Sequence, residues 1–126
     1  MERPQSQAHP ITLLVFLNAM RQENIEAYLV ALADHRFGEA AFLEGGLKGI
    51  ETVIHNRPPY EAWKATGEAT LQEAVAQNDW SKANWWKGYV CGLSLAIKVE
   101  KTSWYKPTRY GDRLCDWFAQ TRIETR

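Results

Sequence analysis

Two pairs of glycines, Gly45/Gly49 and Gly88/Gly92, sit four residues apart inside apolar stripes of helical period, and they constrain the fold more than any other feature of this chain. A glycine inside a helix costs about 1 kcal/mol relative to alanine, because the unfolded glycine has more conformational freedom to lose. Four residues is close to one helical turn, so the members of each pair lie one above the other and leave a flat groove where side chains would stand. That cost is offset only if something presses into the groove. The occupant is either a second helix of the same chain, packed backbone to backbone, or the helix of a partner protein. The charged neighbours Glu44, Lys48 and Lys87 exclude the membrane version of this motif.

The two pairs are offset by 43 residues, and the register extends beyond them. Ala31, Ala33, Ala40, Gly45, Gly49 and Ile54 meet Ala74, Ala76, Ala83, Gly88, Gly92 and Ile97, while Phe37, Phe42, Leu47 and Ile50 meet Trp80, Trp85, Val90 and Leu93. Internal duplication explains this register, and so does the apolar repetition that any two amphipathic helices share. The matched glycines favour duplication.

Apolar periodicity and stop signals divide the rest of the chain. Met1 to Pro10, polar and with two prolines, reads as a flexible lead-in, and residues 11–126 as one helical domain. Leu13, Leu14, Phe16, Leu17 and Met20 form one helical stripe, and Ile25, Tyr28, Leu29 and Leu32 a second. The polar Gln22-Glu23-Asn24 separates them, with Asn24 a fitting N-cap, although one continuous kinked helix satisfies the same pattern. The third stripe, Leu43 to Ile54, stops at Asn56-Arg57-Pro58-Pro59. Tyr60 to Gly67 allows one turn around Trp63, and Thr70-Leu-Gln-Glu73 fits a capping box that would start the next helix. Asp79 caps a long helix to about Lys101, and Gly111 to Arg122 carries a last stripe of Leu114, Trp117 and Phe118. No segment alternates with period two. The expectation is an all-α protein of five or six helices, built on two related hairpins whose second helices are long and carry the glycines.

Signs of chemistry are sparse. His9, His35 and His55 lack metal-ligand spacing, and Cys91 and Cys115 form no Cys-x-x-Cys pair, so no metal or cofactor is expected. Gly45-Gly46-x-x-Gly49 lies within a helix, where its N–H groups are already bonded, and is no phosphate loop. Glu39, Glu44 and Glu51 with His35 or His55 are the only carboxylate–histidine candidates, and a small helical hydrolase using Glu44 and His55 is the weakest of three functional readings. Solvated charges on a helix face explain the same residues, and no catalytic residue is assigned.

Fifteen basic residues balance fifteen acidic ones, which removes any strong overall field for nucleic acid or anionic membrane. Their distribution is uneven: six basic and eleven acidic residues fall within 1–81, nine and four within 82–126. Head-to-tail pairing of one copy's acidic part with the next copy's basic part is one consequence. The basic part interleaves Trp104, Tyr105, Lys106, Arg109 and Tyr110, a composition suited to stacking bases along a phosphate backbone or to anchoring a protein contact. Trp85 and Trp86 point about 100° apart on a helix, so one faces the core and the other, taken as Trp86, is a contact residue. No apolar run approaches the roughly 20 residues of a membrane span, and two unpaired thiols suit a reducing cytosol.

The stretch from Asp79 to Ile97 resembles a hairpin found in small tailed-bacteriophage proteins encoded among virion structural genes. Those proteins pair a short helix with a longer one carrying an aromatic, then Gly-aromatic-x-x-Gly-Leu, then Ala. Trp85, Gly88, Tyr89, Gly92, Leu93 and Ala96 stand at the matching positions. The resemblance covers Leu71 to Lys101, with a weaker echo in Phe37 to Ile54, where Gly46 replaces the aromatic. It implies a non-enzymatic helical virion component, in the virion or the host cytoplasm, that docks on a larger assembly as an oligomer or against a protein partner. A phage anti-defence or single-stranded nucleic-acid-binding protein is the alternative, and nucleic acid ranks behind protein as the partner.

Overall fold

The computed structural model describes residues 10–102, with side chains from 14 to 101, and among these it holds four helices and no strand. They are α1 (Pro10–Ala33), α2 (Phe37–His55), α3 (Glu61–Ala76) and α4 (Trp80–Thr102). Two expected helix breaks are absent, which lowers the expected count. The Gln22-Glu23-Asn24 segment runs on inside α1, because polar residues carry adequate helix propensity. Asn24 is no cap: it is buried, and its Nδ2 donates to the Leu43 carbonyl at 2.6 Å, clamping α1 to α2. Thr70 does not start a helix either. It lies in the middle of α3, and its hydroxyl donates back to the Thr66 carbonyl at 2.8 Å. The expected helix from Gly111 to Arg122 lies outside the described residues, as does the lead-in apart from Pro10, whose fixed φ suits a first helical position.

The other expected boundaries are present. Asn56 to Pro59 ends α2, and Asp79 Oδ1 accepts from the Lys82 amide at 3.2 Å at the start of α4. The two hairpins are related by the 43-residue offset down to single hydrogen bonds. In the first turn the amides of Asp34, His35 and Arg36 donate to the carbonyls of Val30, Leu32 and Ala31; in the second, Gln77, Asn78 and Asp79 donate to Glu73, Val75 and Ala74. His35 (φ 60°) and Asn78 (φ 58°) both take the left-handed conformation that closes such a helix end. Both glycine-bearing helices are long, α2 with 19 residues and α4 with 23, and the outer helices differ, with 24 residues in α1 and 16 in α3.

The hairpins join along α2 and α4. A Cβ on Gly45 would strike the Trp85 carbonyl, and one on Gly88 would strike the Phe42 carbonyl, which is the same contact moved by 43 residues. A Cβ on Gly49 would come within 2.5 Å of the Tyr89 carbonyl, and one on Gly92 would strike that of Gly46. Residue numbers rise together on the two helices, so α2 and α4 run parallel about a local pseudo-two-fold axis. Both glycine grooves are therefore filled within the chain, each by the other helix, and dispersion contacts between the two backbones offset the cost of the glycines. Around this seam Phe42, Leu43, Ile50 and Leu93 are fully buried with Met20 from α1.

Candidate functional site

The outer helices break the symmetry of the seam. α1 packs on α2 and reaches onto α4, while α3 packs on α4 and makes no backbone contact with α2. A cleft of about 500 Å³ opens between α2 and α3, with α4 as its floor. Four rings line it: Trp63 from α3, and Trp85, Trp86 and Tyr89 from α4. Lys48 and Thr52 form the α2 wall, and Ala62 and Thr66 complete the α3 wall.

The local sequence accounts for the opening. Tyr89 stands where the 43-residue register puts Gly46 in the first hairpin, and its ring lies against Gly67, whose Cβ would be 2.9 Å from it. A ring on α4 stands where α2 has only a hydrogen, and Gly67 on α3 leaves room for it. Tyr89 stacks on Trp85 (ring centroids 6.0 Å, interplanar angle 8°), and Trp86 meets both edge-on at 4.9 and 5.2 Å. The Tyr89 and Thr52 hydroxyls are 3.2 Å apart, and Thr52 also donates to the Lys48 carbonyl at 3.0 Å. The aromatic floor is thus fixed in place.

The mate of the cleft is closed. Positions Lys48, Thr52, Trp63 and Trp86 correspond to Cys91, Leu95, Met20 and Leu43, and all four mates are buried in the core, Met20 at 1% exposure. Trp63 is 44% exposed. A wall that is permanently covered carries Cys and Leu, whereas the wall facing the open cleft carries Lys and Thr, which tolerate water. A smaller hollow of about 250 Å³ continues past Lys48 and Thr52 toward Glu51, His55 and Asn56.

Of the contact residues expected from sequence, Trp86 lies in this cleft. Trp85 and Trp86 are both half-buried and both line the cleft, since α4 faces the seam and the cleft at once. Trp104, Tyr105, Lys106, Arg109 and Tyr110 lie outside the described residues. Trp63, Tyr89, Lys48 and Thr52 were missed, although the exchange of Gly46 for Tyr89 within the repeat was their signal.

Glu44 and His55, the pair named for a hydrolase, do not share a site. They share α2 at a separation of eleven residues, roughly 16 Å of helix rise. Glu51 and His55 do meet at the smaller hollow, where Glu51 lies 3.8 Å from Arg21. Glu39 and Asp34 pair with Arg36, whose guanidinium is held above its usual pKa chiefly by the hydrogen bond to Glu39. Burial pushes the Cys91 thiol up, against a smaller opposite pull from Lys87, so the thiolate that nucleophilic work needs is disfavoured. Among the described residues no three His, Cys, Asp or Glu side chains come together as metal ligands, and no helix is long and apolar enough to cross a membrane. Comparison with known protein families, with curated proteins and with solved structures finds no match to this chain.

Proposed function

We propose that this chain is a non-enzymatic helical adaptor, acting through protein contacts in an oligomeric assembly, and that the cleft between α2 and α3 is where a partner's apolar side chains seat. One observation carries the reading: the cleft is open and aromatic in the half of the molecule where the related half is closed and filled. Its volume falls within the roughly 300–1,000 Å³ of binding pockets, and tryptophan and tyrosine predominate in the centres of protein interfaces. Among the described residues Lys48 is the only ionisable group in the lining besides the Tyr89 phenol, and the two do not make an acid–base pair suited to hydrolysis. The phage character of that assembly rests on the resemblance of the Asp79 to Ile97 hairpin to virion-associated proteins.

The test is site-specific cross-linking in the producing cell, with a benzophenone amino acid in place of Trp63. Discrete protein adducts that disappear in a Trp86→Ala background support docking at the cleft. Absence of protein adducts, together with tight and salt-sensitive quenching of tryptophan fluorescence by a short oligonucleotide, overturns it in favour of nucleic-acid binding.

A further inference from the structure

A second departure from the internal symmetry lies at the tip of the first hairpin. Phe37, the first residue of α2, is 61% exposed, and Leu29, Val30 and Leu32 are exposed on the last turn of α1. The mates of Leu29 and Val30 in the second hairpin are Gln72 and Glu73, as a solvated helix face requires. The left-handed turn at His35 presents Phe37, and the two rings meet edge-on with centroids 5.6 Å apart. Trp80, the mate of Phe37, is half-buried, and Val75, the mate of Leu32, is exposed like it, so the first tip differs in its exposed ring and in Leu29 and Val30, while the cleft is open on the second-hairpin side.

We infer that the partner seated in the cleft is a second copy of this chain, whose Phe37 tip enters between α2 and α3. The inference rests on the docking reading given above and names its occupant. Charge complementarity supports it: Asp34 and Glu39 stand beside Phe37 with Arg36 paired between them, which leaves the tip one negative charge in surplus, whereas Lys48 supplies a positive charge in the cleft. A molecule cannot fill its own cleft this way, because Phe37 and Lys48 lie on the same helix eleven residues apart, roughly 16 Å along its axis. Knob and hole are different surfaces, so the contact is head-to-tail and builds a ring or an open chain of copies.

The experiment is sedimentation of the full chain from roughly 1 µM to 1 mM, the range in which a single knob-in-hole contact saturates. The expected mass rises with concentration past twice 14.5 kDa. Phe37→Ser and Trp86→Ala should each remain monomeric alone, while a one-to-one mixture should form dimers and stop there, since only one intact tip and one intact cleft remain. Thr66→Arg, at an exposed position on the cleft wall, replaces Trp86→Ala if that variant melts early. Lys48→Glu should weaken association by about fivefold. A wild-type monomer over the whole range, or a dimer indifferent to Phe37→Ser, overturns the inference. If cross-linking through position 63 still captures a different protein in a Trp86-dependent way, the second copy is excluded and the docking reading stands; if both experiments are empty, both fall.

Discussion

On the first-hairpin side of the seam, Met20, Leu43, Cys91 and Leu95 belong to one buried cluster, and α1 leans far enough to touch α4. On the second-hairpin side, the equivalent positions hold Trp63, Trp86, Lys48 and Thr52 around an open cleft. The two flanks share the hydrogen bonds of their turns, and the difference between them lies in the length of the outer helix and in the side chains that face it. It teaches that a duplicated scaffold can keep its shared seam as structure and free one flank for contact. The seam tolerates no change, because each helix's backbone is the other's packing surface. The flank tolerates much, because its rings face water.

The largest test of this comparison is Met20→Ala against its mate Trp63→Ala. Removing a fully buried side chain leaves a cavity, and Met20→Ala should cost about 2–5 kcal/mol in chemical denaturation. Trp63→Ala, at a half-exposed position, should cost about 1–2 kcal/mol although the side chain is larger. Equal losses would mean that the cleft is part of the core.

Next come the seam glycines. Gly45→Ala and Gly88→Ala place a methyl group onto a backbone carbonyl that cannot step aside, and each should cost about 3 kcal/mol by overpacking. By the pseudo-symmetry the two losses should be similar. Gly67→Ala, which meets only the Tyr89 ring and a Val90 methyl, should cost about 1 kcal/mol or less, since the gain in helix propensity offsets part of the crowding. A Gly67 variant as damaged as the seam variants would show that α3 is held as tightly as the seam.

A third test concerns the clamp that only the closed flank has. Asn24→Ala removes the buried bond to the Leu43 carbonyl and should destabilise by about 1–3 kcal/mol. An unchanged melting temperature would show that apolar packing alone keeps α1 in place.

The smallest effect is a pH dependence at the end of the seam. The Tyr60 hydroxyl donates to Glu100 Oε2 at 3.2 Å, and burial, helped by the Glu100 charge, raises its pKa from 10.0 to about 12. The folded state therefore holds this proton more tightly than the unfolded chain does. That contribution is complete below pH 10 and is lost as the pH rises from there to about 12. Tyr60→Phe should flatten this part of the stability curve measured by denaturation at a series of pH values.

The repeat was the legible part of this fold. Helical period, the Asn56 to Pro59 stop, the Asp79 cap and the matched glycines were all readable, because each depends on spacing along one helix or on the chemistry of one turn. At Asn24 the continuous helix, one of the two readings the pattern allows, is the one that forms, and the capping box at Thr70 does not start a helix, because a side chain suited to capping serves equally well as a tertiary donor or as a back-bonded residue in mid-helix. The sequence by itself determined that two glycine-bearing helices had to meet something closely, since nothing else offsets the cost of glycine in a helix. Only the tertiary structure decided that they meet each other in parallel, and that the flanks then differ. The ring of Tyr89 against Gly67 is a contact between two helices and between residues 22 apart, and no local pattern encodes it.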